Sequence, residues 1–114
     1  MNTKHFQDAE LACRCCGGYI DNVALKMVLE DVREHFNAPV NINCGTRCSL
    51  HNNEVGGAEF SWHLSGHAAD IVVMGVPPGG VYRYLNNRPY ADLIGLGSYS
   101  TFTHIDTRGK RARW

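Results

Sequence analysis

The run AADIVV, residues 68–73, limits most tightly what this chain can fold into. It is a short, nearly continuous apolar stretch ending in β-branched residues, and it reads as a buried strand. The chain enters it straight from SWHLSGH, residues 61–67. That puts His63, His67 and Asp70 together at the mouth of a strand, with Gly66 free to turn the loop tightly at positive φ. The segment is either a polar loop that happens to be rich in histidine or part of a metal site.

The elements around it are short and mixed. Residues 21–37 carry a helical stripe of Leu25, Leu29, Val32 and Phe36, with Asp21 as the expected N-cap and Asn37 and Pro39 as the stop. PVNINC, 39–44, alternates and reads as a strand. A short helix is expected from about Ser49 to Val55, closed by Gly56 and Gly57. PPGG, 77–80, reads as a turn, and VYRYLNNR after it as a short helix. LIGLGSY, 93–99, and TFTHIDT, 101–107, read as two strands of a tight hairpin. There is no regular βαβ alternation, so the expected class is α+β: a small, mostly antiparallel sheet with flanking helices. The 114 residues suit a single domain spanning 1–114.

Charge excludes more than it assigns. Lysine plus arginine and aspartate plus glutamate each number 11, so neither a nucleic acid nor an anionic membrane is an expected partner. The basic C-terminal run RGKRARW is expected to be a solvated tail. No stretch approaches the roughly 18 apolar residues of a membrane span. The opening MNTKHFQDAE lacks the apolar core of a secretory signal, so synthesis in the cytoplasm and action elsewhere only after release are expected. A monomer is the expectation.

The five cysteines are Cys13, Cys15, Cys16, Cys44 and Cys48. An odd number without an export signal argues against a disulfide framework. The CRCC cluster at 13–16 is a candidate for a structural metal together with Cys48 or a histidine. As a block it matches no common zinc knuckle, so partly buried thiols are the expectation. A redox protein built on CRCC is a third, weaker reading.

In TFTHIDT the period of two puts Phe102, His104 and Asp106 on one face and Thr103, Ile105 and Thr107 on the other. Phenylalanine, histidine and aspartate together suit a site wall better than a core. His63, Asp70 and His104 then come from separate elements. Two histidines and one carboxylate leave one open position on a tetrahedral zinc, which is the pattern of catalytic sites. The HxxxH pair His63/His67 is not expected on a helix, because Gly66 lies inside it and a strand follows. There is no HExxH.

The ordered segments S61-x-H63-x-x-G66-x-A68-x-D70-I71 and G95-x-G97-x-Y99…H104-x-D106 resemble the zinc D-Ala-D-Ala carboxypeptidase family. That family includes L-Ala-D-Glu endolysins and shares its fold with the hedgehog signalling domain. INCGTRCSLHNNEVGGA is similar to the family's strand, "SGYR" and "N…VGGA" run, and HFQDAELACRCCGG to the opening of its small phage and prophage members. The resemblance covers nearly the whole chain. It implies one zinc ion held by His63, Asp70 and His104. It implies that Arg47, in the place of the "SGYR" arginine, binds a substrate carboxylate or carbonyl. His67 falls on a variable position and reads as a rim residue; His51 receives no role.

The sequence departs from the family where many members carry an acidic general base, three residues before the last histidine. Thr101 stands there, and no acidic residue lies between Asp92 and Asp106. Asp106 is the nearest substitute, either as a base or as a group that orients a ligand. Ser61, Tyr99 and Arg108 are candidates for substrate contact. The implied activity is zinc-dependent amide hydrolysis in peptidoglycan stem or cross-link peptides, of the D-Ala-D-Ala carboxypeptidase or L-Ala-D-Glu endopeptidase type. A compact phage-type lysis enzyme fits the length. The alternative from another class is a non-catalytic zinc domain that binds cell-wall peptide or a protein partner.

Overall fold

A computed structural model describes residues 2–48, 52–53 and 61–114. Helix α1 spans Val23–Phe36. Its N-cap is Asn22, one residue later than expected, whose Oδ1 accepts from the Leu25 amide at 2.8 Å. Asp21 instead accepts from the Tyr19 hydroxyl. Leu25, Val28, Leu29 and Val32 form the buried stripe, and Asn37 ends the helix in the left-handed region at φ 47.

Five strands make one sheet: β1 (Val40–Cys44), β2 (Ala68–Val73), β3 (Gly95–Ser98), β4 (Thr103–Asp106) and β5 (Ala112–Arg113). Their order is β1-β2-β4-β3-β5. All neighbouring pairs are antiparallel except β3 and β5. β2 is therefore an interior strand, which is why AADIVV is apolar on both faces. The expected β3–β4 hairpin is present. Helix α2 spans Pro78–Asn86 and begins earlier than expected. PPGG is its cap and first turn rather than a separate turn, because Pro78 lacks only an amide that the first turn leaves unpaired anyway. Phe6, Leu29, Val32, Ile71, Leu85, Leu96 and Ile105 form the fully buried centre. The helix expected at 49–55 lies largely outside the described residues; Asn52 and Asn53 are helical.

The C-terminal tail corrects the expectation of a solvated end. Residues 112–113 pair in parallel with β3. The Arg113 guanidinium donates to the carbonyls of Ile94 and Ala91, each at 2.7 Å. The Trp114 carbonyl accepts from the Ser98 amide at 2.6 Å. The charge pattern hid this because arginine can satisfy backbone carbonyls as readily as water can. Among the described residues, no helix is long and apolar enough to cross a membrane.

Candidate metal centre

The register of the sheet builds the site. Cys44 on β1 lies opposite Asp70 on β2, Asp70 opposite His104 on β4, and His104 opposite Gly97 on β3. Directly paired residues share a face, so the row carries a thiol, a carboxylate and an imidazole side by side. Cys44 joins the row because the register slips by one residue between Ile42 and Cys44. Glycine at the end of the row leaves space: a Cβ at Gly97 would lie 2.7 Å from the Trp114 indole nitrogen. At Gly95 a Cβ would lie 2.5 Å from the Asp106 carboxylate. Both glycines of the G95-x-G97 motif thus make room for groups behind or beside His104.

His63 comes to this row from the loop before β2. Gly66 turns that loop at φ +76, and a Cβ there would collide with Ile20. The His63 amide donates to Ser61 Oγ at 3.2 Å, and its carbonyl accepts from the Arg47 amide at 2.9 Å. The ring is buried. Nδ1 lies 2.8 Å from the Gly45 carbonyl, to which it donates, and Nε2 lies 3.3 Å from Asp70 Oδ2. His104 Nδ1 lies 2.9 Å from the other Asp70 oxygen, while its Nε2 lies 2.8 Å from Asp106 Oδ2. Each histidine therefore has one nitrogen anchored from behind and one aimed at the same carboxylate. A carboxylate or carbonyl behind a histidine is the support that metal-bound imidazoles use.

Burial disfavours charge on all these groups, but their mutual hydrogen bonds outweigh it. Burial works to lower the His63 pKa, and Asp70 and Cys44 overcome it and raise it to about 9. Burial works to raise the Asp70 pKa, and His104 and His63 bring it down to about 2. His104 is raised as well, by Asp106 and Asp70 against its burial. Without a metal the cluster holds protons between the nitrogens and Asp70. A divalent cation offers the same carboxylate the same charge neutralisation, and the donor set suits zinc.

Asp106 is completely buried and taken up on both oxygens. Arg108 donates to it through Nε and Nη2, each at 2.7 Å, and Oδ2 also faces His104. Those partners hold its carboxyl far below the usual carboxylate range despite burial. The Arg108 guanidinium lies 5.2 Å from the centres of the Trp62 and Trp114 rings. Arg47 sits beside the centre, donating through Nη1 to Asn52 Oδ1 at 2.9 Å and through Nη2 to Cys44 Sγ at 3.2 Å. Its buried Nε has no hydrogen-bond partner among the described residues.

The other sequence candidates lie at the rim or away from it. Tyr99 is 42% exposed, stacked on Phe102, and accepts from the Trp114 indole at 2.9 Å. Thr101 is exposed. His67 Nδ1 lies 2.7 Å from Ser65 Oγ and its ring meets Trp62 edge-on. His51 lies outside the described residues. Sequence reasoning did not include Cys44, whose sulfur, with donor atoms of His63 and Asp70, forms a group lying within 4.8 Å of one another. Burial raises the Cys44 pKa, but His63 and Arg47 lower it overall. Trp62 and Trp114 were also missed. Only the parallel pairing of β5 brings Trp114 to 5.0 Å from the His104 ring.

Two histidines converging on an aspartate, each braced from behind, on an α+β scaffold are the makings of a metallohydrolase centre. The sequence profile of the peptidase M15 family matches residues 4–106, and the chain belongs to that family of zinc-dependent metallopeptidases. A search of curated proteins gives no match.

Proposed function

We propose that the protein is a peptidoglycan peptidase that hydrolyses an amide bond in the stem or cross-link peptide. His63, Asp70 and His104 hold one zinc ion, His63 through Nε2 and His104 through Nδ1. When bound, zinc supplies Lewis-acid polarisation of the scissile carbonyl and an acidified water. The observation that carries the reading is the double bracing: Gly45 behind His63 and Asp106 behind His104 fix which ring nitrogen each presents.

Asp106 acts here as the group that orients His104. Its two hydrogen bonds to Arg108 support this over a role as general base, since a base must give up such partners to take a proton. Arg108 is in turn a positioning residue, held between two indoles. Arg47 binds the substrate's carboxylate or polarised carbonyl. Its orphaned Nε supports this, because a buried N–H without a partner is costly until a ligand oxygen reaches it. Tyr99 lines the approach, and Ser61 fixes the His63 backbone. The protein acts on the wall.

Mass spectrometry of purified peptidoglycan fragments, incubated with the protein, a chelator and added-back zinc, tests this. Zinc-dependent products are expected, and their masses name the bond as D-Ala-D-Ala or L-Ala-D-Glu. Folded, zinc-loaded protein that leaves walls of several chemotypes uncut would sink the reading. It would favour the non-catalytic binding domain, with exposed Thr101 in the place of the family's acid.

A further inference from the structure

A second cluster of donors lies outside the centre described above. The sulfurs of Cys13, Cys16 and Cys48 lie within 4.8 Å of one another. The CRCC block hides a plain Cys13-x-x-Cys16 pair, because the cysteine at 15 interrupts the eye and not the spacing. We propose that Cys13, Cys16 and Cys48 form a thiolate site for a second, structural metal ion of the zinc class, which clamps the N-terminal segment onto the loop carrying Arg47.

The backbone around the pair is folded for sulfur ligands. The Cys48 amide donates to Cys13 Sγ at 3.3 Å, and the Gly18 amide to Cys16 Sγ at 3.4 Å. The loop is closed by Gly17 N to the Cys13 carbonyl at 2.8 Å and Cys13 N to the Gly18 carbonyl at 2.7 Å. Gly17 adopts φ +75, where side chains are strained, and a Cβ on Gly18 would press on Cys16 Sγ at 3.2 Å. Amides aimed at sulfur favour the thiolate, which is the form that binds metal. Three sulfurs within 4.8 Å of one another, none of them in a disulfide, are spaced for one shared ion. Bound to zinc at about 2.3 Å, sulfurs stand roughly 3.8 Å apart, inside the 4.8 Å within which these three lie.

The metal class follows from the donors. Three soft sulfurs select zinc or a similar thiophilic ion over magnesium or calcium. None of the five cysteines is in a disulfide among the described residues, and pairing two of these three would strand the third.

The clamp has a clear object. Thr46 N donates to the Leu11 carbonyl at 2.8 Å, and Ile20 N to Thr46 Oγ1 at 3.3 Å. Residues 11–20 thus already lie along the segment that presents Cys44, the Gly45 carbonyl behind His63, and Arg47. A metal tying Cys13 and Cys16 to Cys48 fixes that segment from its far end.

The test uses the full chain loaded with zinc, or with cobalt(II) as a spectroscopic probe. The wild type is expected to hold a second zinc equivalent and to show thiolate-to-cobalt charge-transfer absorption in the near ultraviolet. Cys16→Ser, at an exposed position, should keep its circular dichroism, lose the second equivalent and lose most of that absorption. His63→Ala should lose the other equivalent and keep the absorption, which separates failure of this proposal from failure of the catalytic one. In the His63→Ala protein, an organomercurial should release the remaining zinc as the thiols react. Folded wild type without the charge-transfer band would overturn the proposal. So would unchanged metal content in Cys16→Ser, thiol modification without zinc release, or a purified chain found with these cysteines in a disulfide.

Discussion

Asp31 and Asp70 are both partly buried carboxylates with several partners, and the partners differ in kind. Asp31 on α1 accepts from the Tyr84 and Tyr90 hydroxyls and from Arg88 Nε at 2.9 Å. Asp70 on β2 faces His63 and His104 alone among the described residues. Every partner of Asp31 is a permanent donor that no ion can replace, so the group is a rivet between α1, α2 and the turn after it. The partners of Asp70 hold exchangeable protons, so a cation can take their place. A buried carboxylate is structural or functional according to whether its partners can leave.

The comparison breaks most sharply at the two aspartates themselves. Asp70→Ala should abolish zinc-dependent cleavage and the zinc equivalent tied to it while leaving a folded domain, as read by metal analysis and circular dichroism. Asp31→Ala should do the reverse: activity per folded molecule persists, and urea unfolding shows a loss of roughly 1–3 kcal/mol, the cost of leaving partly buried hydroxyl donors without their acceptor. An inactive but stable Asp31→Ala would contradict the division. Asp106→Asn should have a smaller effect, lowering zinc affinity or turnover by roughly 10- to 100-fold, as for other groups that orient a metal-bound histidine. A loss many orders larger would point instead to a base.

Acidity should separate the histidines of the centre from the aspartates: Asp70, brought down to about 2 by His104 and His63 against its burial, fades on acidification just as Asp31 does. In metal-free protein His63 is raised to about 9, so its contribution is fully present below about 6.5 and fades as pH climbs through 9. Asp31 is lowered by its hydroxyl and arginine partners against its burial, so its contribution is present above about 3.9 and fades on acidification. Thermal melts of chelated protein across pH should show both flanks. Zinc affinity should rise over the range in which His63 sheds its proton. A basic flank that persists unchanged in His63→Ala would assign it elsewhere.

Much of this was legible in the chain. The stripe of α1, the strands β1 and β2, the β3–β4 hairpin and the α+β class follow from local periodicity. His63, Asp70 and His104 are suggested by a histidine-bearing loop at a strand mouth, by a polar strand face, and above all by the resemblance to the zinc peptidase family. What escaped depended on distant partners. Nothing near Asp31 names Tyr84 or Tyr90, and nothing near Arg108 says that it will close on Asp106. β5 is a two-residue strand whose pairing is parallel and remote, so its charges read as solvent-facing. Cys44 reaches the site only through a one-residue slip in β1.

The placement of Asp70 and His104 on β2 and β4, two strands each paired on both sides, also bears on timescale. Amides in such strands exchange with solvent only in the rarest openings, whereas a loop such as the one bearing Arg47 opens far more often. Two of the three proposed ligands, Asp70 and His104, therefore belong to the slowest-breathing part of the molecule, while His63 and Arg47 come from loops. On the proposed function, the Asp70–His104 pair is the part of the centre that opens least and Arg47 the part that opens most readily.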